Sequence, residues 1–462
     1  MAKRIALISL GCPKNLVDSE VMLGLLRQGG YELTSDEQRA DIVIINTCAF
    51  IESAKQESID AIIACSERVN HREIVVTGCL AQRYSDELVE ALPEVSAFVG
   101  TGEFHQIVKI CDLLTETATS KNRKPLILVS PPRYLYDHLT PRVLSTPKHY
   151  AYLKIAEGCD NKCSFCVIPQ VRGVHRSRSL DSLLAEAHHL AESGVRELVL
   201  ISQDSTSYGM DLKGREGLTG KRLLPKLLKN LTRIDGIEWI RVLYAYPTSV
   251  DEELLDVMLT EEKVCAYLDI PIQHIHDDIL RRMVRKTTST QLHEKIALIK
   301  RKSPDMTLRS TVIVGFPGET QEHFNALLGF IKEVEFDHLG VFAYSREEGT
   351  PAARMKEQVL EEVKQERVER LVEIQKRIAF RKRRSCIGKE MSVLLDGFDE
   401  NDGIMYARTE GQAPEIDDVV YISPPTEVGH PAAYSGKISI GEFVPVRIVG
   451  TYEYDFIGEV LT

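Results

Sequence analysis

The sequence predicts a multidomain α/β protein with three folded parts, and three patterns along its 462 residues support that prediction. Apolar runs alternate with amphipathic stretches over residues 3–115, which is typical of a parallel sheet covered by helices. The alternation returns over a longer stretch from Tyr150, where six strand–helix units favour a barrel or most of one. After Cys386, short alternating strands separated by Gly, Asp and Pro turns predict a small antiparallel β-barrel.

These patterns set the expected domain boundaries. We expect an N-terminal parallel α/β sheet domain over residues 1–116, a central partial (βα)-barrel with a C-terminal helix over 148–384, and the small β-barrel over 385–462. Five prolines among polar and basic residues predict a linker with little regular structure over residues 117–147.

Each domain divides into elements. In the first domain the predicted strands are RIALISL, ADIVIINTCAF, REIVVTGC and VSAFVG, and the helices between them are Leu16–Gln28, Ser53–Val69, Tyr84–Leu92 and His105–Leu114. In the second domain the predicted strands are YAYLKIAEG, ELVLISQD, WIRVLYAYP, AYLDIPIQ, LRSTVIVGFPG and HLGVFAYS. A long charged helix is predicted over residues 356–384. Its basic end, RKRRS, is interpreted as cations favoured at a helix C-terminus, with phosphate contact as the alternative.

Composition limits the class of protein. Hydrophobic content of 43% and charged content of 27% are typical of a soluble globular chain, and no apolar run approaches the roughly 18 residues of a membrane span. The apolar run after Met1 is too short for a secretory signal, so we expect a cytoplasmic protein that does not bind a membrane. Its ten cysteines are then expected to be buried thiols or metal ligands rather than disulfides.

The strongest motif is GCDNKCSFC, in which Cys159, Cys163 and Cys166 follow the first strand of the second domain. Three thiolates within eight residues can surround one face of a compact metal centre. A zinc site would need a fourth ligand, for which His175 is the next candidate, and the usual ferredoxin spacing is absent. The spacing therefore favours an iron–sulfur cluster with one iron left open to bind a small molecule.

This segment resembles the motif of the radical S-adenosylmethionine superfamily, including the aromatic Phe165 before the last cysteine. The resemblance implies a full or partial βα-barrel that holds a 4Fe-4S cluster at the carboxyl ends of its strands. It also implies that the open iron chelates S-adenosylmethionine and that electron transfer from the cluster releases a 5′-deoxyadenosyl radical.

Three more cysteines occupy equivalent places in the first domain. Cys12, Cys48 and Cys79 each follow a predicted strand, and the carboxyl ends of parallel strands form the ligand-binding edge of an open α/β sheet. The three thiols can therefore converge on a second cluster, with three buried free cysteines as the alternative. The four other cysteines are expected to be structural: Cys65, Cys111, Cys265 and Cys386.

The segments GCPKN, NTCAF and TGCLAQRY resemble the N-terminal domain of the methylthiotransferase family. In that family this domain precedes a radical S-adenosylmethionine core and a TRAM domain, and the same order covers almost the whole of this chain. The resemblance implies a second 4Fe-4S cluster on Cys12, Cys48 and Cys79, whose open iron carries the sulfur that becomes the methylthio group.

Two loops predict the pocket for S-adenosylmethionine. ISQDSTSYG and STVIVGFPGET end the second and fifth strands of the central domain, where barrel enzymes bind their ligands. The residues assigned to this pocket are Gln203, Asp204, Arg309, Gly315, Pro317 and Gly318. Ordinary loop chemistry is the alternative, and no catalytic residue beyond the cluster ligands is assigned.

Two features favour a protein substrate over RNA. SLGCPKNLVDSE resembles the branch of the family that modifies an aspartate of ribosomal protein uS12, whereas the tRNA-modifying branch usually has Gln and Met in place of Pro13 and Lys14. Residues 385–462 hold fourteen acidic and four basic residues, and so carry nearly all of the net charge of −11. Such a domain repels RNA and attracts a basic protein, with an acidic surface kept for solubility as the alternative.

The predicted function is therefore methylthiolation of the β-carbon of an aspartate in uS12, with one S-adenosylmethionine as methyl donor and a second as radical source. The expected partners are the basic protein uS12 and a reducing electron donor of flavodoxin or ferredoxin type. One alternative is a tRNA methylthiotransferase. A more distant one is an iron–sulfur electron carrier or sensor, which leaves the barrel pattern unexplained.

Overall fold

The computed structural model describes residues 3–68, 72–116, 124–212, 220–399, 403–423 and 438–461. Its first domain is a six-stranded parallel sheet in the order β2-β1-β3-β4-β5-β6. The strands are β1 (Arg4–Ser9), β2 (Glu32–Leu33), β3 (Ile42–Thr47), β4 (Glu73–Gly78), β5 (Ala97–Val99) and β6 (Leu126–Leu128). The helices are α1 (Pro13–Gln28), α2 (Glu52–Arg68), α3 (Cys79–Ala91) and α4 (Ile107–Glu116). The four predicted strands and four predicted helices are present, although Val69 lies outside the described residues.

The predicted linker contains a strand that sequence reasoning missed. Residues 117–123 lie outside the described part, but Leu126 pairs with Ala97 so that β6 extends the parallel sheet beyond β5. The outer side of β5 would otherwise present unpaired backbone N–H and C=O groups, which this short apolar segment satisfies.

The central domain is a second six-stranded parallel sheet, in the order β14-β13-β12-β11-β10-β7. Its strands are β7 (Tyr150–Lys154), β10 (Glu197–Ile201), β11 (Trp239–Val242), β12 (Val264–Asp269), β13 (Thr307–Val314) and β14 (His338–Ala343). A separate pair, β8 (Ala156–Glu157) and β9 (Arg176–Ser177), flanks the loop that carries the cysteines. Because β7 and β14 are the two end strands of this sheet, the described residues form the expected partial barrel.

Helices cover the outer face of the central sheet. They are α6 (Leu180–Glu192), α7 (Leu224–Leu231), α8 (Glu252–Thr260), α9 (Asp277–Arg282), α10 (Ser289–Lys302), α11 (Gln321–Val334) and α12 (Glu361–Arg384). The one-turn helix α5 (Ile168–Val171) instead packs against α3 of the first domain. The largest hydrophobic core lies between these helices and the sheet. Alternate residues of β13 face this core, with Leu308, Val312 and Val314 buried and their neighbours half-buried on the other face.

The C-terminal domain is a closed barrel in the order β15-β16-β17-β19-β18. Its strands are β15 (Glu390–Asp399), β16 (Ile404–Arg408), β17 (Val420–Ser423), β18 (Phe443–Tyr452) and β19 (Asp455–Val460). The predicted antiparallel barrel is antiparallel at every pairing except β17 with β19, which is parallel. An odd number of strands cannot alternate in direction all the way round a closed barrel, so one parallel pair is required.

The loop between β16 and β17, residues 409–418, docks the C-terminal barrel onto the central domain. We call this segment the docking loop. Its Glu415 accepts hydrogen bonds from the hydroxyls of Tyr150 (2.8 Å) and Tyr152 (3.1 Å), and its Asp417 accepts one from Tyr267 (2.6 Å).

Within the part of the chain that the structure describes, every helix is too short or too polar to cross a bilayer.

Candidate functional site

Strand register brings two thiols of the N-terminal domain together. Thr47 of β3 pairs with Gly78 of β4, and Cys48 and Cys79 are the residues that follow. Both cysteines are buried, each 7% exposed. The convergence that we expected at the carboxyl edge of the sheet therefore follows from the pairing of two neighbouring strands.

The third cysteine approaches through a glycine. Gly11 has a φ of +88°, and a Cβ built on it would lie 2.7 Å from the Cβ and 3.0 Å from the Sγ of Cys48. Only glycine permits both this backbone conformation and this approach. Cys12 then forms the N-cap of α1, whose first residue is Pro13, so the thiol lies at the N-terminus of that helix.

Two buried asparagines hold this first turn of α1 against the sheet. The Nδ2 atom of Asn15 donates to the carbonyls of Leu10 (2.8 Å) and Thr47 (3.1 Å). Asn46 donates in turn to the carbonyl of Asn15 at 2.8 Å. The asparagine of the CPKN segment is therefore a structural anchor that fixes the position of Cys12.

The chemistry of this trio fits a group with thiolate ligands. Burial, together with the neighbouring Cys79 and Cys12, raises the pKa of Cys48 to about 12. Burial also raises the pKa of Cys79, while a hydrogen bond and the charge of Arg172 oppose the rise. All described cysteines are free thiols, so a bound metal group can displace their protons and pair the resulting charge.

The central trio lies on one loop after β8, and N–H donors point at each of its sulfurs. Asn161 donates to Cys159 (3.5 Å), the backbone of Ile168 to Cys166 (3.4 Å), and Arg285 to Cys163 (3.8 Å). Donors of this kind stabilise the sulfur ligands of iron–sulfur clusters and tune them. The three thiols of this loop, like those of the first trio, therefore fit a cluster held by three thiolates.

Packing under this loop holds it in place. The backbone N–H of Ser164 donates to the carbonyl of Met283 (3.0 Å), and its hydroxyl donates to the carbonyl of Arg282 (2.7 Å). Phe165 contacts Phe316 edge-to-face, with ring centroids 6.4 Å apart. The aromatic residue of the motif therefore ties the cysteine loop to the GFPG segment.

Two of the predicted pocket residues join the cysteine loop directly. Asp204 is 4% exposed and accepts a hydrogen bond from Asn161 at 2.9 Å. Gln203 donates to Glu157 at 2.7 Å, and its own Oε1 is buried without a partner among the described residues. Such an unpaired acceptor beside the thiols is available to a ligand.

The glycines of the GFPG segment are explained by packing. A Cβ on Gly315 would lie 2.3 Å from Lys364, and one on Gly318 would lie 2.2 Å from Arg282. Both glycines have positive φ, and Pro317 is buried between them. The segment thus supports the cysteine loop, and the assignment of these three residues to the pocket stays a prediction.

Arg309 does not join this group. It faces Asp417 of the docking loop at 3.2 Å and Asp269 at 3.4 Å, so its charge is already paired. Its assignment to the pocket stays a prediction, which these two contacts do not support.

A buried charge network that sequence reasoning missed connects the two trios. Lys154 forms ion pairs with Asp18 of α1 and Glu157 of β8, and Arg172 contacts the same two carboxylates. Burial alone would raise the pKa of Glu157, but Lys154 and Arg172 lower it to about 2. Since Arg172 also donates to Cys79, the network runs from the first trio to the loop of the second.

Comparison with known proteins agrees with these domains. Residues 4–100 match the Uncharacterized protein family UPF0004, residues 153–331 the radical SAM superfamily, and residues 387–461 a TRAM domain. These matches confirm the radical S-adenosylmethionine core and the TRAM domain that the sequence predicts.

Similar chains cover the full length. A protein of Geobacter sulfurreducens named ribosomal protein uS12 methylthiotransferase RimO is 47% identical over 464 residues, which cover 100% of this chain and 99% of that one. A protein of the same name from Clostridioides difficile is 47% identical over 461 residues and covers 99% of each chain. Among solved structures, the radical S-adenosylmethionine methyltransferase TsrM of Kitasatospora setae aligns with a TM-score of 0.55 at 15% identity. That alignment covers 76% of this chain and 77% of TsrM, and it shows a shared fold.

Proposed function

The chain belongs to the family of proteins named ribosomal protein uS12 methylthiotransferase RimO, and from this membership we propose that it methylthiolates the β-carbon of an aspartate in uS12. It is a radical S-adenosylmethionine methylthiotransferase, and it uses S-adenosylmethionine and a 4Fe-4S cluster. The observation that carries the substrate is the 47% identity along the whole chain to proteins of that name.

Cys159, Cys163 and Cys166 are the proposed ligands of the cluster that binds S-adenosylmethionine. The N–H donors aimed at each sulfur support this assignment. Gln203 and Asp204 complete the proposed pocket, since both hydrogen-bond to residues of the cysteine loop or next to it. Arg309 is left out because its charge is paired elsewhere.

Cys12, Cys48 and Cys79 are the proposed ligands of a second 4Fe-4S cluster. The register of β3 with β4 and the close approach of Gly11 to Cys48 support it. When bound, the two clusters supply reductive cleavage of S-adenosylmethionine at the central trio and a transferable sulfur at the N-terminal trio.

The protein's own residues orient these two reactions towards each other. Arg172 and Lys154 bridge Asp18 on α1 and Glu157 beside the central trio, which fixes the N-terminal domain against the partial barrel. Because the bridging groups are buried, a shift of one domain would separate buried charges at a cost of several kcal/mol. The network therefore keeps the sulfur site and the radical site in one geometry.

The acidic C-terminal domain supports a basic protein partner less strongly than its charge count suggests. Asp417 of the docking loop faces Arg309 at 3.2 Å, and Asp418 faces Arg383 at 2.6 Å. These carboxylates neutralise cations of the central domain and add little to the surface. The acidic side chains of this domain that stay exposed include Glu390, Glu410, Glu442 and Glu453.

The basic end of α12 gives no support to an RNA partner. Arg381, Lys382 and Arg383 pair with Glu335, Asp337 and Asp418 respectively. These contacts favour the interpretation of RKRRS as a structural helix end over phosphate binding. The proposal places the enzyme in the cytoplasm with the ribosome, and assigns its electrons to a flavodoxin- or ferredoxin-type donor.

The test is anaerobic turnover of the reconstituted chain with purified uS12 and, separately, with bulk tRNA. We expect a methylthio mass increase on one aspartate of uS12 that depends on S-adenosylmethionine, and none on tRNA. Methylthiolation of tRNA with uS12 unchanged would contradict the proposed substrate while leaving the enzyme class intact.

A further inference from the structure

Lys14 is a largely enclosed lysine that has no anionic partner among the described residues. Its side chain is 7% exposed, and its Nζ lies 3.1 Å from the centroid of the Tyr244 ring. No residue in the described ranges forms an ion pair or hydrogen bond with this ammonium group. A lysine ammonium offers three hydrogen-bond donors, and the cation–π contact with Tyr244 satisfies none of them as an anion would. The ammonium is therefore available to an anionic ligand.

The position of Lys14 is between the two cysteine trios. On one side it follows Cys12 by two residues at the start of α1. On the other side, the carbonyl of Tyr244 accepts a hydrogen bond from Ser205 at 3.0 Å, and Ser205 adjoins Asp204 of the proposed pocket. An anion held by Lys14 would therefore lie where the sulfur site and the radical site meet.

A residue that contacts the cysteine loop of the central domain, Arg285, also lies near this position. Arg285 stacks on Tyr246, with its guanidinium carbon 4.3 Å from the ring centroid, and donates to Cys163. Tyr246 is two residues beyond the ring that Lys14 contacts. Both trios thus border the same short segment after β11.

Tyr244 is held in a strained conformation that fixes the lysine. Its φ is +63°, a region that bulky residues rarely adopt. Its backbone N–H donates to Asp269 at 3.0 Å, and its carbonyl accepts from Ser205. Strain of this kind persists only where surrounding contacts impose it, and it is concentrated at functional sites. The ring is therefore a rigid platform that presents the ammonium in one direction.

We propose that Lys14 binds the side-chain carboxylate of the substrate aspartate and so selects a carboxylate-bearing substrate, an inference that rests on the proposed function. A lysine ammonium offers three donors and forms charge-assisted hydrogen bonds with carboxylates. It would hold the carboxylate so that the adjoining β-carbon faces both reactive groups. An unmodified nucleobase has no carboxylate for this lysine to bind.

The test compares binding of uS12 and of uS12 with its target aspartate changed to asparagine. Each form of uS12 is titrated anaerobically, in the presence of S-adenosylmethionine, against three full-length reconstituted enzymes. These are the wild type, Lys14→Met and Lys14→Arg. We expect wild type to prefer the aspartate form by about tenfold or more, since a hydrogen bond to a charged group contributes roughly 1.5–3 kcal/mol. Lys14→Met should bind both forms equally, and Lys14→Arg should retain part of the preference.

The control is Lys376→Met. The ammonium of Lys376 also lies over a tyrosine ring, that of Tyr454 at 5.9 Å, but on an exposed part of α12. Its substitution should leave the preference for aspartate unchanged. Iron content and 5′-deoxyadenosine formation without uS12 should be the same in all variants.

Three outcomes would overturn the inference. In the first, Lys14→Met keeps the preference for aspartate. In the second, Lys14→Met loses iron or needs more S-adenosylmethionine for cleavage without uS12, which would assign the lysine to a cofactor. In the third, wild type binds and modifies no uS12, which would overturn the proposed function as well and is recognised from the wild type alone.

Discussion

The two cysteine trios are assembled by different routes. Cys159, Cys163 and Cys166 lie on one loop whose sulfurs receive N–H donors from the same domain. Cys12, Cys48 and Cys79 come from three separate strand ends and meet only because β1, β3 and β4 are neighbours in the sheet. A local trio depends on one loop, whereas a dispersed trio depends on strand register and on every close approach between the segments.

The largest expected effect separates the two trios by reaction. Cys163→Ala should abolish formation of 5′-deoxyadenosine and of the methylthio product, because a cluster held by two thiolates is lost. Cys48→Ala should abolish the methylthio product but leave 5′-deoxyadenosine formation. Both products are measured by mass spectrometry of anaerobic reactions.

Cys111→Ala is the matched control for the two cysteine variants. Cys111 is fully buried in α4 and lies in a hydrophobic core. Its substitution should leave both products unchanged. Methylthio product from Cys48→Ala would remove the second trio from the mechanism.

A smaller and more selective effect is expected from Gly11→Ala. The added methyl would clash with Cys48 at 2.7 Å, so the N-terminal trio should lose its geometry while the central trio keeps cleaving S-adenosylmethionine. Gly30→Ala is the control: Gly30 has a φ of +86°, but its Cβ would meet nothing within 4 Å. That variant should cost only about 1 kcal/mol of stability and retain the methylthio product. Equal product yields from the two variants would show that the contact with Cys48 is unimportant.

Removal of the bridge between the trios should act on stability. Arg172→Met leaves Asp18 and Glu157 buried with Lys154 as their remaining cation, and we expect a loss of about 3 kcal/mol in the free energy of unfolding. Denaturant titration measures this loss. Arg377→Met, at an exposed ion pair with Glu373, should change stability little. A similar small change in Arg172→Met would refute a coupling role for the network.

The smallest effect is expected at the docking loop, which contacts neither trio. Burial lowers the pKa of His338, but Asp417 and Asp418 outweigh it and raise the pKa above its usual value. The stabilisation from the charged imidazole is therefore complete below the unfolded pKa, about 6.5, and is lost as pH rises through the folded value. Thermal stability of wild type should fall more between pH 6 and pH 9 than that of His338→Gln. Parallel pH profiles would contradict this assignment.

The sequence predicts the central trio more directly than the N-terminal trio. The spacing of the central cysteines is itself the signal, because one loop supplies all three ligands. The N-terminal cysteines have no such spacing, so their prediction needed the rule that parallel strands share a carboxyl edge, together with the family resemblance of the segments that contain them. Gly11, the residue that makes the approach possible, carries no signal of its own in the sequence.

What could not be predicted depends on contacts between distant parts of the chain. Lys154 and Asp18 are 136 positions apart, and no periodicity relates them. The contact of Arg309 with Asp417 was unpredictable for the same reason, since the two residues lie in different domains. The strand within the predicted linker was missed because the open edge of β5 exists only in the folded sheet.

The claim that two separate trios each hold a cluster is tested most directly by counting iron. Reconstituted wild type should bind about eight iron atoms per chain, as two four-iron clusters require. The triple alanine variant of Cys12, Cys48 and Cys79 and that of Cys159, Cys163 and Cys166 should each bind half as many. A full complement of iron in the first of these variants would contradict the account.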